Sequence, residues 1–206
     1  MKTVLVAGFG PFPGAPKNPS ADLVRALARR RRPALSDVRI VSAVLPTSYA
    51  AIADELLILL KLHDPDLVVF FGVATRAKHV RIESRAVNAA SQVHPDVHGR
   101  RLPTKKIIPD APAELNVRAA LRNAAAAVRN AGVTALHSRD AGRYICNAAL
   151  FTTLDLARRT GRPEQVAFIH IPNPRGRRSS ARPRVAELVR AGEAALVAFT
   201  SANRRS

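Results

Sequence analysis

Leu67-Val68-Val69-Phe70-Phe71-Gly72 is an apolar run, β-branched and aromatic, closed by a glycine. A strand with no polar alternation is buried on both faces, as in parallel sheets covered by helices. Asp64-Pro65-Asp66 supplies the turn leading into it. Upstream, Ser48 is placed to cap a helix through Leu62, with Ile52, Leu56, Leu59 and Leu60 on one face. Val38 to Val44 reads as a strand, and Ala21 to Arg31 as a helix capped by Ser20. Thr3 to Ala7 is a further buried strand, stopped by Gly8. Strand, helix, strand, helix, strand predicts an α/β protein whose parallel sheet is joined by right-handed crossovers.

Downstream, Val80 to Asn88 alternates over its first half and is a candidate strand. Ala89 to Ala113 is rich in Pro, His, Asp and Arg without a period. It is long for an irregular connection, which suggests a functional lid or interface loop. Glu114 to Asn130 reads as a helix stopped by Gly132, and Val133 to Ser138 as a strand. A helix over Tyr144 to Arg158, a strand over Val166 to Ile171 and a helix over Val185 to Thr200 complete the pattern. With neither repeat nor linker, residues 1–206 read as a single domain.

The composition, 47% hydrophobic, suits a globular chain with a substantial core. The single cysteine excludes an internal disulfide and suits a reducing cytoplasm. Met1 to Gly8 holds too short an apolar run for a signal peptide, and no stretch reaches membrane-spanning length. The expectation is a cytoplasmic protein with no membrane partner. The net charge of +18 raises the question of a nucleic-acid footprint. Yet the basic residues, all but six of them Arg, are dispersed, and aromatics at 4% are too sparse for a stacking platform. No specific nucleic-acid partner is expected. The clusters Arg29 to Arg32, Arg175 to Arg184 and Arg204 to Arg205 read as a solvated helix end, a loop and a tail.

Chemistry-bearing residues gather at element edges. Cys146 follows the glycine turn Ala141-Gly142-Arg143 and leads into an apolar helical run. At a helix start, unpaired N–H groups and the helix dipole favour thiolate over thiol. The bland alternative is a small buried hydrophobe. His170 ends an apolar strand, and Glu83 lies in the alternating stretch; a Cys–His pair oriented by a carboxylate is compatible with these placements. Five other histidines leave that selection open, while no HExxH or cysteine pair points to a metal. Gly8-Phe9-Gly10-Pro11-Phe12 puts two aromatics on a loop at a strand's carboxyl end, where α/β sheets bind ligands. A loop pinned to the core by its aromatics is the competing reading.

Five segments, in order, resemble pyroglutamyl peptidase I, also called pyrrolidone-carboxylate peptidase, a family of cytosolic cysteine peptidases. They are Gly8–Phe12 with Asn18-Pro19-Ser20; Leu45-Pro46-Thr47; Ile82-Glu83-Ser84-Arg85-Ala86-Val87-Asn88; Ala141-Gly142-Arg143-Tyr144-Ile145-Cys146-Asn147; and Phe168-Ile169-His170-Ile171-Pro172. The resemblance implies a three-layer α/β/α sandwich around a mostly parallel twisted sheet. It implies removal of N-terminal pyroglutamate from peptides without a cofactor, and assembly into a homo-oligomer. It maps the nucleophile to Cys146, the base to His170 and its orienting acid to Glu83. Phe9 and Phe12 match the ring pocket, with Asn18, Thr47, Val73, Tyr144 and Ile145 as further lining candidates. The sequence departs from the family at Val73-Ala74-Thr75-Arg76, where a glycine pair is usual, at Arg143, at Ala148, and at Val93, where an arginine is expected. Arg76 and Arg143 are the candidates to replace that arginine. A catalytically silent or altered relative, binding a peptide or small metabolite, is the alternative reading.

Overall fold

The computed structural model describes residues 1–30, 32–174 and 182–202. Its centre is a six-stranded sheet. In chain order the strands are β1 (Lys2–Phe9), β2 (Val38–Leu45), β3 (Leu67–Ala74), β4 (Val80–Glu83), β7 (Ala135–Ser138) and β8 (Gln165–Pro172). In space they run β2-β1-β3-β8-β4-β7. Every neighbouring pair is parallel except β4 with β8. Helices α1 (Pro19–Arg29), α4 (Leu121–Asn130) and α6 (Val185–Ala202) cover one face. The other face carries α2 (Tyr49–Ala53), α3 (Glu55–His63) and α5 (Ile145–Thr160). The expected three-layer α/β/α sandwich is what the chain forms. Among the described residues, no helix is long and apolar enough to cross a membrane.

The two-residue period of a strand builds both cores at once. Val4, Val6, Val69, Phe71 and Ile169 face the α1/α4/α6 layer, while Leu5, Ala7, Phe9, Phe70 and Phe168 face the other. Six of the seven phenylalanines are fully buried, each contributing roughly 1.5–3 kcal/mol of apolar burial. Phe12 alone remains partly exposed, on the loop after β1. Phe9, Phe70 and Phe168 stack within 5.8–6.3 Å of one another beneath the sheet's carboxyl edge.

Several elements depart from expectation for identifiable reasons. The helix expected from Glu114 begins only at Leu121. Glu114–Asn116 instead forms a strand, β6, paired antiparallel with β5 (Arg85–Val87), and Arg85 forms an ion pair with Glu114. Leu115 packs on the α2/α3/α5 core, so this pairing overrides local helix preference. The stretch Val80 to Asn88 is therefore two strands, divided at Ser84, whose backbone bonds Ser138 and Val117. The helix expected over residues 48–62 is divided at Asp54 into α2 and α3. Its start is capped not by Ser48 but by Asp96: the Ser48 hydroxyl and the Tyr49 N–H both donate to Asp96 Oδ2 at 3.1 Å. Asn18, not Ser20, caps α1, accepting from the Ser20 N–H. Of the basic clusters, Arg30 and Arg32 are no merely solvated helix end, since both ion-pair with buried Glu193. Arg175 to 181 of the second cluster, and the Arg204–Arg205 tail, lie outside the described residues.

Candidate active site

The carboxyl ends of β1, β3 and β8 and the start of α5 converge. Register sets their level: Gly72 of β3 pairs with His170 of β8, and Arg81 of antiparallel β4 also pairs with His170. Two residues further along β4, on the same face, stands Glu83, with no exposure to solvent. Its Oε1 lies 2.8 Å from His170 Nδ1, and the Cys146 thiol stands close enough to the same imidazole to act on its pKa. Cys146 is the second residue of α5, where first-turn N–H groups have no partner within the helix. Burial opposes charge on His170, but the influence of Cys146 and Glu83 outweighs it and pushes its pKa up to about 9.

Gly72 makes this convergence possible. A Cβ there would sit 2.8 Å from Phe168 Cζ and 3.0 Å from Cys146 Sγ, closer than packed atoms approach. The imidazole in turn rests on Phe168, ring centres 4.6 Å apart. Asn147, next to the thiol, exchanges two hydrogen bonds with the Val87 backbone and donates a third to the Ala89 carbonyl. The strand following Glu83 is thereby tied to the helix that presents Cys146.

A cavity of about 470 Å³ opens over the thiol. Phe9, Phe12, Asn18, Thr47, Val73 and Tyr144 line it together with Cys146 and His170, so the structure brings these expected residues together. Ile145 is the exception, its side chain fully buried in the core beneath. Asn18 Nδ2 and Thr47 Oγ1 both donate to the Gly10 carbonyl, at 2.9 and 3.1 Å, and hold the Phe9–Phe12 loop against the opening. Both readings of that loop are thus realised: Phe9 anchors it in the core, while Phe12 lies 6.2 Å from the Tyr144 ring across the opening. Tyr144 donates its hydroxyl to the Pro95 carbonyl; burial, then the charges of Tyr49, Asp96 and Cys146, push its pKa up to about 12.

The loop over residues 89–113 is pinned beside this opening. Buried Asp96 accepts from Ser48, Tyr49, His98 and Arg100. Burial raises its pKa, but those hydrogen bonds prevail and leave it below the ordinary carboxylate value. Val93 on this loop is 73% exposed and does not line the cavity. Arg143 is also outside it, paired with Asp140 at 3.0 Å, whereas Arg76 does line it. Sequence reasoning missed Arg81, another lining residue, whose Nε lies 3.5 Å from Glu83 Oε1 and whose Nη2 donates to Ser138 Oγ and the Asp140 carbonyl. Its signal was present: Arg81 and Glu83, two apart on a strand, share a face. Asp96 carried no such signal, because its partners are mostly backbone groups brought together by folding.

A thiol sharing a cavity with an imidazole that is hydrogen-bonded to a buried carboxylate, at the carboxyl edge of an α/β/α sheet, is an arrangement suited to thiol-based acyl transfer. Comparison with known proteins narrows that class. The sequence model of the family described as pyroglutamyl peptidase matches residues 2–177. The pyrrolidone-carboxylate peptidase of Thermococcus litoralis is 32% identical over 84% of this chain and 77% of its own length. That of Bacillus subtilis is 31% identical over 83% and 78%. The solved pyrrolidone carboxyl peptidase of Thermococcus litoralis superposes with a TM-score of 0.89 over 100% of this chain and 96% of that one, at 28% identity. This chain belongs to the pyroglutamyl peptidase family.

Proposed function

We propose that the chain is a cysteine peptidase that removes an N-terminal pyroglutamyl residue from peptides. Cys146 is its nucleophile, His170 its base and Glu83 the orienting acid. The observation that supports this reading best is buried Glu83 at 2.8 Å from His170 Nδ1, with His170 and Cys146 both in the lining of a largely apolar cavity. A pyroglutamyl ring is a flat, neutral lactam, suited to a slot between Phe12 and Tyr144 above Phe9.

With the ring held there, the scissile carbonyl faces Cys146. Because its raised pKa favours the imidazolium, His170 already holds the thiol proton when sulfur adds, as thiolate, to the carbonyl carbon. Glu83 fixes the Nδ1–H tautomer and stabilises the imidazolium. First-turn N–H groups of α5 are placed to receive the oxyanion. As the carbon–nitrogen bond breaks, His170 returns the proton to the leaving amine, and the pyroglutamyl thioester remains. A water that loses its proton to His170 then hydrolyses the thioester, releasing pyroglutamate and restoring the thiol. The reading includes a cytoplasmic setting and, from resemblance alone, assembly into a homo-oligomer.

The test is hydrolysis of the pyroglutamyl amide of aminomethylcoumarin by the purified chain. Release of the fluorophore, abolished in folded Cys146→Ala, is the expected result. No release from folded wild-type protein would replace this reading with that of a silent, ligand-binding relative.

A further inference from the structure

Among the described residues, two guanidinium groups, Arg76 and Arg81, line the cavity, and no Asp or Glu does. Arg81 is engaged inside the protein, with Glu83, Ser138 and the Asp140 carbonyl. Arg76 is different. It follows the end of β3 in a turn closed by the Ala77 N–H on the Ala74 carbonyl, and Arg182 donates to the Thr75 carbonyl of the same turn. The backbone carrying Arg76 is therefore fixed, while its side chain, exposed at the cavity, makes no hydrogen bond or ion pair among the described residues. Residues 175–181, outside the described part, contain no Asp or Glu, and neither does the stretch from Leu67 to Ile82. The cavity mouth thus carries an uncompensated positive charge, and the lactam ring, being neutral, offers it nothing.

Resting on the function proposed above, we infer that the preferred substrates carry a carboxylate on the residue after pyroglutamate, and that Arg76 reads it. Two sources share this chemistry: an acidic side chain at that position, or the terminal carboxylate of a dipeptide. Arg76 discriminates between substrates without taking part in bond making.

The experiment compares kcat/KM of four peptides: pyroglutamyl-glutamate amide, pyroglutamyl-alanine with a free carboxylate, pyroglutamyl-glutamine amide and pyroglutamyl-lysine amide. A partly solvated charge pair predicts that one or both anionic peptides exceed the glutamine peptide by about three- to tenfold at low salt, and less at high salt. Which anionic peptide gains identifies the source. In Arg76→Glu the order of the glutamate and lysine peptides inverts. Lys78→Gln, which removes a charge from an exposed residue outside the cavity, leaves the order intact and separates a local effect from the overall +18. Equal kcat/KM for all four peptides overturns the inference while leaving the peptidase reading in place. So does a preference that survives in Arg76→Glu, or failure on all four peptides by a protein that cleaves the coumarin amide. If the coumarin amide is not cleaved either, the functional reading fails, and this inference with it.

Discussion

Replacing Glu83 with Gln keeps the side chain's shape and removes its charge. Glu83 has no exposure, meets His170 Nδ1 at 2.8 Å and leaves Oε2 without a hydrogen-bond partner among the described residues, so water cannot substitute for what is lost. A hydrogen bond to a charged group contributes roughly 1.5–3 kcal/mol, and one pKa unit is about 1.4 kcal/mol. The His170 pKa, about 9 in the native protein, should therefore fall by about one to two units. It should not collapse, because Cys146 supports the same shift. The native state favours imidazolium, so the stability His170 supplies is complete below the unfolded value of 6.5 and is lost as pH rises through about 9. Over that window wild-type stability should drop by on the order of 3 kcal/mol, and that of Glu83→Gln by only about 1–2 kcal/mol. Urea denaturation of both reduced proteins at intervals from pH 6 to 9.5 measures the difference. On the coumarin amide, Glu83→Gln should lose about 10²–10⁴-fold in kcat/KM, less than Cys146→Ala. Parallel stability curves, or an unimpaired Glu83→Gln enzyme, would refute the orienting role.

Gly72→Ala should lose about 1–3 kcal/mol of stability and much of its turnover, since the new methyl displaces Phe168 or the thiol; urea midpoints and kcat together check it. Asp96→Asn removes a charged acceptor from four donors and should cost on the order of 1–3 kcal/mol near pH 7. Because Asp96 titrates below its unfolded value of 3.8, its contribution is present above that pH and fades as pH falls through the lower native value. Wild type and variant should thus converge in acid denaturation. Phe12→Ala should raise KM more than it lowers kcat, whereas Val93→Arg should leave both unchanged, because Val93 is exposed away from the cavity. A faster Val93→Arg enzyme would show that the 89–113 loop reaches substrate in a way this arrangement does not provide.

Much of the fold was legible because burial on both faces leaves a continuous apolar run. The strands at residues 3–7, 67–71 and 166–171 announce themselves in this way, and each proves slightly longer in space. The glycine turn ahead of Cys146 likewise marked a helix start from local chemistry alone. Three residues capable of acyl transfer could be named, but five other histidines were equally available. What selected His170 was pairing between distant strands. β8 lies between β3 and antiparallel β4, which brings Glu83 to a partner 87 positions away. Backbone hydrogen bonds in a sheet are nearly the same whatever the side chains, so neither strand order nor direction is written locally. The same limit hid the β5–β6 pair behind a helix-like stretch, and hid the capping of α2 by Asp96, 47 residues from the N–H it accepts. Sequence alone determined which segments are buried and which side chains can do chemistry. Tertiary structure decided which of them meet, because that depends on how all the buried faces are satisfied at once.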